Sequence, residues 1–150
     1  MRELDEKMMA LALDEAKKAF LCDETPIGAV ISRNGEVVAA AHNRRETDKN
    51  ALAHAEIICI NEACRKLGGW RLPGCTLYVT LEPCPMCAGA IINARIERIV
   101  YALKDFKSGS LGSIVNLAAY PYNHRPKVES GVFSEESREL LRSFFRKKRS

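Results

Sequence analysis

At 150 residues, 47% hydrophobic and 28% charged, the chain has the material for one globular domain spanning residues 1–150. No apolar run is long enough to span a bilayer, and Met1-Arg2-Glu3-Leu4-Asp5-Glu6-Lys7 is too charged for a secretory signal. No membrane-spanning helix is therefore expected, and the cytoplasm is the expected location. Net charge is +4, a mild bias whose distribution matters more than its size.

Residues 4–20 carry Leu4, Met8, Leu11, Ala12, Ala16, Ala19 and Phe20 at helical spacing, which predicts an amphipathic helix. Gly28 to Ser32 and Val37 to Ala41 are apolar runs separated by Arg33-Asn34-Gly35-Glu36. Asn-Gly between two such runs is a strong hairpin signal, because both residues tolerate positive φ. A second helix is expected from about His54 to Leu67, stopped by Gly68-Gly69.

Thr76 to Leu81 reads as a buried strand. A third helix starts near Cys84, with Pro85 in its first turn, where the missing N–H costs little. Arg98 to Ala102 is the next strand, so strand, helix and strand imply a parallel crossover. Lys107 to Ser113 is a Gly/Ser-rich loop, and Lys127 to Val132 is a candidate last strand. Ser134 is placed to cap a final helix with Glu135 and Glu136 in its first turn. The sum is α/β, with a mixed sheet between helices.

That final helix ends on Arg142, Arg146, Lys147, Lys148 and Arg149, with no acid between Arg142 and Arg149. Such a stretch suits a nucleic-acid backbone, but basic residues also suit a helix C-terminus through its dipole.

Six cysteines are present, but Cys-x-x-Cys in a cytosolic chain points to metal or redox chemistry before a disulfide framework. Cys59 and Cys64 lie in a helical apolar stretch and read as small core residues. Cys22 and Cys75 have no assignable partner. Cys84 and Cys87 are three apart, so one helical turn points both sulfurs the same way. They lie at a helix N-terminus, where the dipole favours thiolates. His54 and Glu56 open another helix.

If the two helix starts meet, one imidazole and two thiolates converge on a zinc ion with a position left for water. Three protein ligands and an open position are the pattern of a catalytic zinc. Two thiolates cancel the charge of zinc, so the site needs a base, and Glu56 is placed to supply it without binding the metal. The expected chemistry is hydrolytic attack by zinc-bound hydroxide on an electron-poor carbon, with Glu56 shuttling the proton. A structural zinc or a redox cysteine pair is the plainer reading. It is opposed by the upstream His-x-Glu and by the prolines flanking Cys84. His42, after a strand, reads as a polar strand-end residue.

His54-Ala55-Glu56 with Pro83-Cys84-Pro85-Met86-Cys87 resembles the zinc-dependent cytidine-deaminase superfamily, whose signature this is. Thr76 to Cys84, Met86 to Ala90, Asn123-His124-Arg125 and Phe144-Phe145-Arg146 resemble its bacterial tRNA-specific adenosine deaminase branch, over about Leu4 to Arg149. The resemblance implies a cytidine-deaminase-like three-layer α/β/α sandwich around a mixed sheet of about five strands. It also implies one Zn²⁺ per subunit and a homodimer. The implied activity converts the wobble adenosine of a tRNA anticodon stem-loop, that of an arginine tRNA, to inosine.

The resemblance implies His54, Cys84 and Cys87 as metal ligands and Glu56 as proton shuttle. Ile27, Asn43, Ala55 and Asp105 are implied to contact the target nucleoside. Asn123, His124 and Arg125 fall where neighbouring nucleotides are held, and Phe145 and Arg149 beside the RNA. Each outer position keeps a plain alternative. Ile27 can be core, Asn43 can serve strand-end backbone and Asp105 can cap a loop. His124 can be simple surface. Of the adjacent Phe144 and Phe145, one should be core and the other partly exposed. Asn50-Ala51-Leu52 departs from the Asp-Pro-Thr found in many members.

Two other functions compete. A small-molecule deaminase of the guanine or cytosine type would keep the zinc site without needing the basic helix. A non-catalytic zinc module would need a fourth ligand, from Cys59 or Cys75.

Overall fold

The computed structural model describes residues 2–149. Helix α1 (Arg2–Leu21) turns Met8, Met9, Ala12, Ala16 and Ala19 inward as one stripe. The alanines bring it close to the sheet. Gly28, which opens β1 (Gly28–Arg33), completes that approach, because a Cβ there would collide with the helix backbone at Ala12 and Ala16. Strand β2 (Glu36–His42) returns antiparallel through Asn34 and Gly35, both at positive φ (53° and 77°) as the hairpin signal requires.

Helix α2 (Ala55–Leu67) ends on Gly68 in the left-handed conformation, whose N–H reaches the Cys64 carbonyl. Strand β3 (Cys75–Leu81) lies antiparallel to β1. Helix α3 (Pro85–Asn93) then crosses to β4 (Arg98–Leu103), parallel to β3. A single 3-10 turn at Leu117–Ala119 precedes β5 (Lys127–Ser130), parallel to β4. Helix α4 (Ser134–Arg149) closes the chain. The sheet order is β2-β1-β3-β4-β5.

Strand alternation sorts side chains into two cores. Val30, Tyr78, Val100 and Ala102 meet Met8, Met9 and Ala12 of α1 on one face. Ala29, Ile31, Leu77, Val79 and Ile99 meet Cys59, Ile60 and Ala63 of α2 and Ile91 of α3 on the other. Helix α4 shares the side of α1, where Phe144 packs edge-on against Phe20. This is the expected three-layer sandwich with a five-stranded mixed sheet. Fully buried side chains such as Met8, Ile31 and Leu77 contribute about 1.5–3 kcal/mol each.

A buried ion network ties α1 to the sheet. Arg98 donates to Asp5 at 2.6 and 2.8 Å and to Glu129 at 2.8 Å, and the Tyr78 hydroxyl donates to Asp5 at 2.7 Å. The Arg98 guanidinium holds the Asp5 carboxyl below its ordinary range.

Two expectations shift slightly. The last strand stops at Ser130, short of Val132, because Gly131 takes φ 98° and turns the chain out of the ladder. Helix α4 begins at Ser134 itself, after Phe133 at φ 59°. Cys59 and Cys75 are fully buried and Cys64 half-buried against the same core, while Cys22 is exposed. Phe144 is 4% exposed and its neighbour Phe145 46%, so the pair divides as expected. No helix among the described residues is long and apolar enough to cross a membrane.

Candidate functional site

The strands point their functional ends to one edge of the sheet. Strands β3 and β4 finish there, β1 begins there beside the last residue of β2, and α2 and α3 start there. Such an edge is where open α/β sheets bind ligands.

His54 is the N-cap of α2 and Cys84 the N-cap of α3. Serine, threonine, aspartate or asparagine usually fills that position and bonds the free backbone amides. Neither His54 nor Cys84 makes such a bond, so both side chains stay available. Pro85 follows at the first helical position and sets the turn that places Cys87 one turn below Cys84.

His54 Nδ1 lies 3.7 Å from Cys84 Sγ and 3.6 Å from Cys87 Sγ, and all three ligand atoms fall within 4.8 Å of one another. A tetrahedral zinc with ordinary bond lengths sets nitrogen and sulfur about 3.6 Å apart. The triangle therefore fits zinc. Among the described residues no fourth histidine, cysteine or carboxylate joins the group. Cys59 is buried in the α2 core and Cys75 sits at the opposite end of β3, so neither closes the site.

The charges divide unevenly. Hydrogen bonding from Cys87 and His54 draws the Cys84 thiol down to about 4, against the cost of burial. The thiolate so formed, together with burial, pushes the Cys87 thiol up. It also raises the His54 imidazole. A dication between the sulfurs would offset the repulsion that holds the second proton on Cys87. Glu56, buried on the first turn of α2, is raised to about 7 chiefly by desolvation. A carboxyl poised near neutrality can both take and return a proton.

A cavity of about 140 Å³ opens over these groups. Its lining brings together seven expected residues: Ile27, Asn43, His54, Ala55, Glu56, Cys84 and Asp105. Asn43 is 4% exposed; its amide donates to the Thr25 carbonyl at 3.3 Å and its oxygen accepts from Arg45 N at 3.1 Å. Asp105 accepts from the backbone of Lys107 and from the Ser108 hydroxyl. Both therefore fill their plain roles while also facing the cavity. Ile27 likewise packs on the core while lining the cavity.

The remaining expected positions lie outside this cavity. Cys87 is buried within the metal group. Asn123 and Arg125 are exposed, and His124 Nε2 is 2.6 Å from the Ile96 carbonyl oxygen. Phe145 and Arg149 line a separate shallow groove with Arg138, Leu141, Arg142 and Arg146. The unusual Asn50-Ala51-Leu52 also stays outside. Asn50 accepts from Leu52 N at 2.9 Å and so makes the turn that leads into His54. His42, at the end of β2, bonds its neighbour's backbone rather than joining the metal group.

Five lining residues had no signal strong enough to single them out: Thr25, Arg45, Leu81, Glu82 and Ser108. Arg45 lies two residues past Asn43, and Glu82 stands in the Leu-Glu-Pro-Cys string itself, so proximity to a motif was the available clue.

A His/Cys/Cys triangle beside a buried glutamate, at the strand ends of a mixed five-stranded sheet, defines the class: a cytidine-deaminase-like enzyme. The MafB19-like deaminase family matches residues 3–149. The tRNA-specific adenosine deaminase of Bacillus subtilis (strain 168) is 52% identical over 97% of this chain and 91% of its own. A solved structure from studies of A-to-I editing by tRNA:A34 deaminases superposes with a TM-score of 0.87. It is 48% identical, over 90% of this chain and 99% of that one. Guanine deaminase from Nitrosomonas europaea is more distant, at 25% identity and a TM-score of 0.75 over 93% of this chain and 83% of that one. Within the deaminases, the chain belongs to the family of bacterial tRNA-specific adenosine deaminases.

Proposed function

We propose that this chain, a single domain over residues 1–150, hydrolyses adenosine to inosine at the wobble position of a tRNA anticodon, that of an arginine tRNA. What supports the reading most is one arrangement: a zinc-sized triangle of His54, Cys84 and Cys87 with the buried Glu56 beside it, at the base of an open cavity. The names of the relatives supply the substrate.

His54, Cys84 and Cys87 would hold one Zn²⁺ per subunit. When bound, zinc acidifies water, so that a hydrolytic nucleophile is available at neutral pH. The protein's own residues do the rest. The target base leaves an already unpaired loop, where no duplex pair is lost, and enters the cavity. Ile27 and Leu81 present apolar walls that keep bulk water from the ring. Asn43, fixed by Thr25 and Arg45, offers an amide edge to the base or ribose. Ala55, with no side chain beyond a methyl, leaves room at the cavity floor. Asp105 is positioned to accept from a ribose hydroxyl.

Glu56 takes one proton from the attacking water and delivers it to the ring nitrogen, then takes the second from the hydroxyl now on the carbon and delivers it to the departing amine as the carbon–nitrogen bond breaks. The balance is adenosine plus water to inosine plus ammonia. Outside the cavity, Asn123, His124 and Arg125 and the groove bearing Phe145 and Arg149 hold the flanking nucleotides through stacking and phosphate contacts. A homodimer in the cytoplasm completes the proposal.

Purified protein should convert adenosine to inosine in an anticodon stem-loop. If only free bases turn over, the tRNA assignment is wrong, and the likeness to guanine deaminase becomes the better guide.

A further inference from the structure

Glu82 is 2% exposed, lies two residues before Cys84, and touches neither the zinc triangle nor Glu56 in any recorded bond. Its carboxylate is nonetheless fully engaged. Oε1 accepts from Asp105 N at 3.0 Å and from the Ser113 hydroxyl at 2.5 Å. Oε2 accepts from Leu111 N at 3.0 Å and Ser113 N at 3.1 Å. All four donors belong to one loop, which leaves β4 and forms a wall of the cavity through Asp105 and Ser108.

The loop is also held by its own backbone bonds, such as Gly109 N–H to the Asp105 carbonyl and Ile114 N–H to the Gly109 carbonyl, and is tied to its surroundings by Ser110 N–H to the Pro83 carbonyl and by the Tyr101 hydroxyl to the Leu111 carbonyl. It contains no helix and no strand, only an isolated bridge between Leu111 and Asn116. Gly109 is buried in its middle, and a Cβ there would collide with the Glu82 carboxyl and the Asp105 carbonyl. The loop is thus wrapped around the carboxylate at a distance only glycine permits. A buried carboxylate is costly unless each lone pair is used, and here both oxygens are doubly used.

We infer that Glu82 is a positioning residue for substrate. It acts through the loop, holding Asp105 and Ser108 at the cavity wall, and takes no part in the proton transfers. The inference rests on the proposed deaminase reading for its substrate but not for its geometry. The carboxylate acts here as a template for backbone N–H groups. Glutamine has the same shape but only one accepting oxygen, and its NH₂ would face N–H donors.

The test compares wild type with Glu82→Gln, on zinc-loaded protein and an anticodon stem-loop carrying a wobble adenosine. KM should rise about tenfold while kcat stays within about twofold, because the wall is loosened and the chemical groups are not. Zinc content should not change. Hydrogen exchange, which needs no substrate, should accelerate at the Asp105, Leu111 and Ser113 amides and not along α2. Ser113→Ala, which removes one of the four donors, should move both readouts in the same direction by less, and serves if Glu82→Gln does not fold. Wild-type exchange and KM in Glu82→Gln would overturn the inference, as would a fall in kcat with KM unchanged. Absence of turnover by wild type alongside accelerated exchange in the variant would refute the substrate reading and leave the positioning role standing.

Discussion

The floor and the walls of the cavity are built by different means. The floor consists of helix starts: His54 and Cys84 as N-caps and Glu56 in the first turn of α2, with Cys87 buried beside them in the metal group. Their places follow from helix geometry and from two packed helices, so few bonds are needed to hold them. Two of the walls are loops, and each of these is held by a buried carboxylate. Glu24 accepts from Glu46 N, Thr47 N and the Thr47 hydroxyl, fixing the loop that carries Arg45. Glu82 does the same for the loop that carries Asp105 and Ser108.

The carboxyls of Glu56 and Glu24 also shift in opposite directions. Burial raises Glu56 to about 7, outweighing the bonds that its own backbone amide and Cys87 offer it. Burial also opposes ionisation of Glu24, but its three donors outweigh that cost and bring it below the ordinary 4.5. In the group placed for proton transfer desolvation wins, whereas in the scaffold group Glu24 the donors win.

The sharpest way to break this division is Glu56→Gln. Proton transfer by a placed side chain is worth about 10²–10⁴ in rate, and kcat should fall in that range with zinc and RNA binding retained. Rapid-quench measurement of inosine formation reads the rate. A loss of zinc instead would make Glu56 part of the metal's holding set.

Next in size is stability at the wall. Removing acceptors from Glu24 by Glu24→Gln should cost about 2 kcal/mol at neutral pH. Because the folded carboxyl lies below its unfolded value, that contribution is complete above 4.5 and declines as pH falls through the folded value. Urea midpoints of wild type and variant should therefore converge in acid; a gap that widened there would reverse the assigned sign.

The same Glu24→Gln change should raise KM for the stem-loop about tenfold with kcat nearly unchanged, matching the effect expected at Glu82. Equal losses in kcat and kcat/KM would erase the distinction between floor and walls.

The smallest effect is expected beyond both regions, on α4. Arg149→Glu should weaken RNA binding a few-fold and lower its salt dependence by about one unit. Arg146 is already bonded to Glu139 at 3.0 Å and should matter less.

The floor was legible because its signals are local. His-x-Glu and Cys-x-x-Cys each occupy one helical turn, Asn34-Gly35 fixes a hairpin, and Gly68 ends a helix. The walls were not legible, for a physical reason. Glu24 meets Thr47 across 23 positions and Glu82 meets Ser113 across 31, with no period or spacing rule linking them. Arg45 carries no signal of its own although Asn43, two residues earlier, is singled out by the resemblance, because an exposed arginine near a motif looks like any solvated base. Asp105 and Asn43 show the opposite limit: each was given two alternative roles, and the fold gives each both a backbone partner and a face on the cavity.

The most direct test of the central claim measures inosine in an anticodon stem-loop after incubation with purified protein containing one zinc per chain, beside Glu56→Ala at the same zinc content. The account predicts wobble inosine from wild type and essentially none from the variant, with both binding the RNA equally. Undiminished inosine from Glu56→Ala, or turnover of free bases with none in RNA, would contradict it.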